Sequence, residues 1–195
     1  CWLQNNNFTG TPLQNPVNAT KLQLLLLQNN NFTGTIHPSV GTGMPSLVTF
    51  TFSNNDFSGP LPSSMSNMTR LGTIVGIGNR LNGTLPNLGQ WPALKVVVLA
   101  GNRLTGVIPV SLGRSRNLTT LVLQGNRLNG TLPREFAFNS HLQRFDVTSQ
   151  QNLFGPLPPF GPQNRALRRV ELGQNRLNGT VSGALLTLPT LTQLT

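Results

Sequence analysis

Apolar residues along this chain fall in short alternating pairs rather than in helical stripes. Leu25/Leu27, Phe50/Phe52, Val97/Leu99, Leu121/Leu123, Phe145/Val147 and Val170/Leu172 each enclose one residue between them. A period of two over so few positions predicts a short strand with one buried face. Three residues ahead of each pair stands a further apolar anchor, at Leu22, Leu47, Leu71, Leu94, Leu118, Leu142 and Leu167. Behind the pair comes an Asn (Asn6, Asn30, Asn55, Asn79, Asn102, Asn126, Asn175), with Gln151 in that place in one segment. An amide side chain there can bond backbone groups in a turn and so end the strand. The Gly that follows permits a tight bend, and Pro62, Pro86, Pro109, Pro133 and Pro158 block continuation as helix.

The whole unit recurs. Its Gly stands at Gly10, Gly34, Gly59, Gly83, Gly106, Gly130, Gly155 and Gly179, in steps of 23 to 25 residues. One such coil cannot bury its own apolar stripe, but stacked coils share a continuous core, with their strands in a parallel sheet at about 4.8 Å per step. The recurring string, in the form "LxxLxLxxNxLxGxIP", resembles the plant-type leucine-rich repeat, and the resemblance runs through the entire chain. It implies a right-handed curved superhelix of the α/β class. Its main parallel sheet would line the concave face, a second short sheet would come from segments such as Gly106–Pro109, and irregular or 3₁₀ segments would line the convex side. We expect one domain over residues 1–195, holding eight repeats and the start of a ninth, in a fragment without terminal caps.

Some departures from the pattern carry their own expectations. Gly76 stands where an apolar core residue belongs, so a small gap is expected in the fourth strand. The seventh repeat has one extra residue between Val147 and Leu153. Cys1 occupies an apolar core position of the first strand, which predicts a buried structural thiol.

Charge changes the picture next. The net charge of +10, from 14 Lys and Arg against 4 Asp and Glu, favours an anionic partner. Only Lys21 and Asp56 lie in residues 1–69, and the basic residues are spread out with no aromatic platform among them, which points away from nucleic acid. No apolar run is long enough to span a membrane, although a transmembrane segment outside this sequence is compatible with it. Neither His37 nor His141 has a partner at metal-ligand spacing, and the pattern calls for no cofactor. Asp146 and Glu171 fall at matching positions of neighbouring strands, each with an Arg two residues upstream (Arg144, Arg169). A solvated charge network is the expectation there; a glycosidase carboxylate pair is the alternative. No catalytic constellation emerges, so the chain reads as a non-enzyme.

Asn-x-Thr acceptor motifs occur at Asn7, Asn18, Asn31, Asn67, Asn82, Asn117, Asn129 and Asn178. Three of them, at Asn82, Asn129 and Asn178, are inherited with the repeat, but Asn18, Asn67 and Asn117 fall outside it on the back of the coil. They indicate an extracellular or cell-surface glycoprotein.

The residue enclosed by each apolar pair should face the concavity. That column runs Trp2, Leu26, Thr51, Val75, Val98, Val122, Asp146, Glu171; two places on run Gln4, Gln28, Ser53, Ile77, Ala100, Gln124, Thr148 and Gly173. An apolar solvent-facing stripe marks a partner site, though Val is also simply at home in strands. A second column follows the ladder Asn along the rim: Asn7, Asn31, Asp56, Arg80, Arg103, Arg127, Gln151, Arg176. Like charges about 5 Å apart repel by only about 0.8 kcal/mol in water, so the arginines could be soluble filler or a rail for an anionic ligand. The resemblance implies one of two functions. One is a receptor-like ectodomain that binds a protein, peptide or glycan on its concave face. The other is a secreted wall or matrix glycoprotein, similar to polygalacturonase-inhibiting proteins, that blocks an enzyme or holds anionic polysaccharide.

Overall fold

The computed structural model describes residues 1–15, 18–87 and 91–195. The alternating pairs do form strands, each three residues or fewer. Among the described residues eight of them make one parallel sheet: Leu24–Leu26, Thr49–Thr51, Thr73–Val75, Val96–Val98, Thr120–Val122, Arg144–Asp146, Arg169–Glu171 and Gln193–Leu194. The first coil joins through a single parallel bridge, Trp2 to Leu26. Pairing is in register throughout, so Leu121 stands between Val97 and Phe145, and Phe50 beside Ile74. Each apolar position therefore stacks on its counterpart, and the buried residues from Leu13 to Leu188 form one core cluster. The expected solenoid on a parallel sheet is what the chain builds.

Strand ends are closed by the amide ladder. The Asn126 amide nitrogen donates to the carbonyls of Leu123 in its own coil (2.7 Å) and Leu99 in the preceding one (3.0 Å), while its oxygen accepts from the Leu104 backbone N–H (3.0 Å). Asn30, Asn55 and Asn102 repeat the arrangement, and Asn79 makes its cross-coil bonds. All five side chains are buried. Removing such an amide would leave a buried N–H and carbonyls unpaired, at a cost of about 1–3 kcal/mol each. In the seventh repeat the ladder residue is Gln150, not Gln151: its longer side chain reaches the Leu123 carbonyl (2.8 Å) and the Leu128 N–H (3.1 Å). Gln151 is instead the extra residue and takes a left-handed backbone, φ 66°.

The residue just before each ladder amide is left-handed in every coil, at Asn5, Asn29, Asn54, Gly78, Gly101, Gly125, Ser149 and Gln174. Asn and Gly bear that conformation at least cost, which explains the first six. In the first three coils the side chains form a surface ladder of their own, Asn54 donating to Asn29 (2.7 Å) and Asn29 to Asn5 (2.6 Å).

The second sheet is present but lies earlier than expected. Its strands include Thr9–Gly10, Asn31–Phe32, Ser58–Pro60, Arg80–Asn82, Thr105–Gly106, Arg127–Thr131, Asn152–Pro156 and Arg176–Asn178, in pieces joined by the bridges Thr35–Ser58 and Thr84–Thr105. Thr105–Gly106, rather than Gly106–Pro109, is the strand, paired in parallel with Arg127–Leu128, and Ile108 beyond it is buried in the core. The back holds single helical turns, α at Ser39–Gly43, Val110–Gly113 and Gly183–Leu186 and 3₁₀ at Ser63–Asn67 and Arg134–Phe138, so it is less irregular than expected. There Asn139 and Asn164 are buried and bond the preceding coil, Asn139 to the Ser115 carbonyl and Asn164 to the Phe136 and Asn139 carbonyls.

Two expectations about the core fail. Cys1 is exposed rather than buried; its terminal nitrogen donates to the Leu24 carbonyl and its carbonyl accepts from the Leu26 N–H. Gly76 leaves no gap. Phe52, wholly buried and packed on Phe50 and Phe57, lays its ring where a side chain at position 76 would go: a β-carbon there would clash with the ring's Cζ and Cε2. The large residue of one coil and the missing side chain of the next fill a single space. Gly76→Val should therefore overpack the core and lower stability by about 1–3 kcal/mol, read as an earlier urea midpoint, and Phe52→Leu in the same chain should recover much of the loss. A stabilised Gly76→Val would show that the space is empty after all.

Candidate ligand-binding face

Because side chains alternate along each strand, the sheet face turned away from the core carries three columns, not two. Besides the column from Trp2 to Glu171 and the one containing Ile77, a third precedes them: Leu24, Thr49, Thr73, Val96, Thr120, Arg144, Arg169. The sequence signal for it was the same alternation, read two residues earlier. The three columns divide the face lengthwise. Coils two to five present Leu24, Leu26, Val75, Ile77, Val96 and Val98 among threonines, whereas coils seven and eight present Arg144, Asp146, Arg169 and Glu171.

Exposure within this face is uneven. Trp2 is 73% exposed, Ile77 39% and Leu24 38%; Leu26, Val75 and Val98 are half-buried. Val122 is only 5% exposed and does not face solvent as expected. In register it stands between Val98 and Asp146, so both flanks are covered. Ser53 and Ala100 are also buried, Ser53 accepting a hydrogen bond from the Ile77 N–H (3.0 Å).

The charged end is a network, but only partly solvated and built on one arginine rather than two. Arg144 alone spans both carboxylates, 2.9 Å from Asp146 and 3.3 Å from Glu171. Asp146 is fully buried, and its second oxygen accepts from the Thr148 N–H at 3.2 Å. Arg169 stays exposed, outside the network. Both acidic residues are thus occupied by one guanidinium, in a tie that joins the seventh coil to the eighth. Losing Arg144 would leave the buried Asp146 carboxylate without its cation, which is destabilising.

The rim is equally selective. Arg80 lies 2.9 Å from Asp56, in the preceding coil, and is neutralised by it. Arg103, Arg127 and Arg176 are exposed and make no ion pair or side-chain hydrogen bond with the described residues. Gln151 falls between Arg127 and Arg176, so only Arg103 and Arg127 are adjacent free cations in that column. The two histidines sit in turns: the His37 Nδ1 accepts from the Ser39 N–H, and His141 lies beside Ser140. Each acceptor Asn (Asn7, Asn18, Asn31, Asn67, Asn82, Asn117, Asn129, Asn178) is exposed, and the Asn117 amide donates to the Pro92 carbonyl.

Comparison with known proteins bears on this arrangement. Residues 21–42, 46–68, 93–115 and 117–139 match the leucine rich repeat family. No curated protein matches the chain. Among solved structures, the chain is similar to the plant peptide hormone receptor RGFR1 in complex with RGF2, at 30% identity over 96% of this chain and 30% of that one, with a TM-score of 0.89. It is also similar to the Arabidopsis receptor kinase HAESA in complex with the peptide hormone IDA and the co-receptor SERK1, at 27% identity over 98% of this chain and 32% of that one, with a TM-score of 0.92. The chain spans about a third of the length of these two. A chain of the BIR3–SERK2 complex from Arabidopsis thaliana is 30% identical over 80% of this chain and 69% of its own length, with a TM-score of 0.57. With its stacked coils, amide ladder and matched repeats, this chain belongs to the leucine-rich repeat family in its plant-type form, and it resembles the ectodomains of plant receptor kinases.

Proposed function

We propose that this chain is part of a non-enzymatic extracellular recognition module whose ligand is a peptide or protein seated on the open face of the main sheet. The observation that carries the reading is the apolar stripe on coils two to five, where Leu24, Leu26, Val75, Ile77, Val96 and Val98 line a face that the chain's own elements leave uncovered. Apolar area of this kind is what a partner's hot-spot residues bury. The similar receptors are described as complexes with peptide hormones, and one of them with a co-receptor, which supports a peptide ligand here. The floor governs dissociation, while Arg103 and Arg127 on the rim govern association rate and salt dependence. The exposed acceptor Asn residues support the secretory route. A matrix role with anionic polysaccharide would need a longer run of free cations than the rim supplies.

Peptides selected from a displayed random library on the wild-type chain provide the test. The double variant Ile77→Gln, Val98→Gln changes side chains that are exposed or half-buried, so the circular dichroism spectrum should stay as it is. Affinity for the selected peptides should nevertheless fall at least 10-fold. Peptides that bind this variant unchanged would move the site off the open face. Processing is checked separately. At least two of Asn18, Asn67 and Asn117 should carry N-glycans in the native protein, read as a mass loss on enzymatic deglycosylation; an unchanged mass would remove the secretory argument.

A further inference from the structure

The extra residue of the seventh repeat reshapes the rim next to the two adjacent free arginines. Gln150 fills the ladder position, so the added residue falls outside it, and the rim holds both Gln151 and Asn152 where the preceding coil holds Arg127 alone. Gln151 is held left-handed (φ 66°), a conformation that a long side chain adopts only at some cost. Strain of this kind persists where the surrounding structure fixes it, and it gathers at ligand sites. Gln151 and Asn152 line a groove of about 770 Å³ together with Arg103 and Arg127, with Gly125 and Ser149 also in its lining. The two guanidinium groups and the side-chain amides of Gln151 and Asn152 are exposed and make no hydrogen bond or ion pair with the described residues. No carboxylate lines the groove. Ser149 is not available, since its hydroxyl donates to Gln174 (2.6 Å).

We propose that this rim groove is an anion site, in which Arg103 and Arg127 pair with one or two neighbouring carboxylates of an acidic peptide and the Gln151 and Asn152 amides hydrogen-bond their outer oxygens. Strands one coil apart lie about 4.8 Å from each other, so the two guanidinium groups suit carboxylates carried on adjacent side chains, or a single carboxylate bridged by both. The column sets the length of the site. On one side Arg80 is already paired with Asp56, and on the other Gln151 and Asn152 are uncharged. A polyuronate, with a charge on every sugar, would find two cations and then none, so a compact acidic segment is the better fit. The proposal rests on the recognition reading only for the molecule that brings the carboxylates, not for the groove.

The probe is a tetraglutamate peptide, titrated at low ionic strength by calorimetry against the whole chain, with trigalacturonate and longer oligogalacturonates as the competing chemistry. Arg103→Gln with Arg127→Gln should weaken tetraglutamate binding at least 10-fold, and Arg70→Gln, elsewhere on the basic surface, should leave it unchanged. Deleting Gln151, which restores the ordinary repeat length, should weaken it at least 5-fold without lowering Tm. Where that deletion fails to fold, Gln151→Gly with Asn152→Ala keeps the bulge, relieves the left-handed residue and should weaken binding about 3-fold. Wild-type affinity in the bulge variants would reduce the site to general charge attraction and overturn the proposal. Affinity that rises with oligogalacturonate length beyond that for tetraglutamate would assign the groove to polyuronate and overturn it too. The Ile77→Gln, Val98→Gln variant should bind tetraglutamate normally, so the open-face reading and this one fail separately.

Discussion

Each coil ends its strand with backbone donors and acceptors that it cannot pair by itself, and the fold depends on the buried amide that pairs them with the next coil. A strand of three residues has too few ladder bonds to stand alone, and the turn after it would bury bare carbonyls. Asn126, bonding its own coil through Leu123 and the neighbouring coil through the Leu99 carbonyl and the Leu104 N–H, solves both problems with one side chain. The same bonds fix the height of each coil on the last, which keeps the apolar positions in register and the core continuous. Stability in such a stack is a sum of coil and interface terms, so each ladder amide acts on two interfaces at most.

Much of this was legible in the sequence, because the ladder, the alternating pairs and the anchors each demand particular residue types at fixed offsets. What escaped was set by contacts between coils. Gly76 looked like a missing core residue when its own strand was read alone; the ring that fills the space belongs to Phe52 in the coil before. Counting back from Gly155 gives Gln151 as the ladder residue only if the extra residue precedes the ladder, whereas side-chain reach puts it after Gln150. Val122 was assigned to solvent by alternation, which gives the direction of a side chain but not how closely its neighbours crowd it.

The candidate site shows the same division. Its columns could be read off the repeat, but its electrostatics could not. The rim column, with Gln151 already interrupting its arginines, reads as filler or a rail; the structure adds that Asp56 pairs with Arg80, leaving Arg103 and Arg127 as the two adjacent free cations. Two carboxylates with two arginines suggested a solvated quartet, yet Arg144 takes both and leaves Arg169 free. One side chain's choice of partner, decided by distances of about 3 Å across neighbouring coils, settles where net charge is available.

The left-handed column before the ladder has a consequence for how a ligand could lie. In the first three coils it carries Asn5, Asn29 and Asn54, whose bonded side chains raise a ridge between the open face and the rim. From the fourth to the sixth coil it carries Gly78, Gly101 and Gly125, and the border there is bare backbone. The two surfaces are fenced apart at one end of the solenoid and continuous further along. A chain lying over Ile77 and Val98 can cross that low saddle and reach Arg103 and Arg127 without climbing any side chain, so apolar and charged contacts can be made by a single uninterrupted segment.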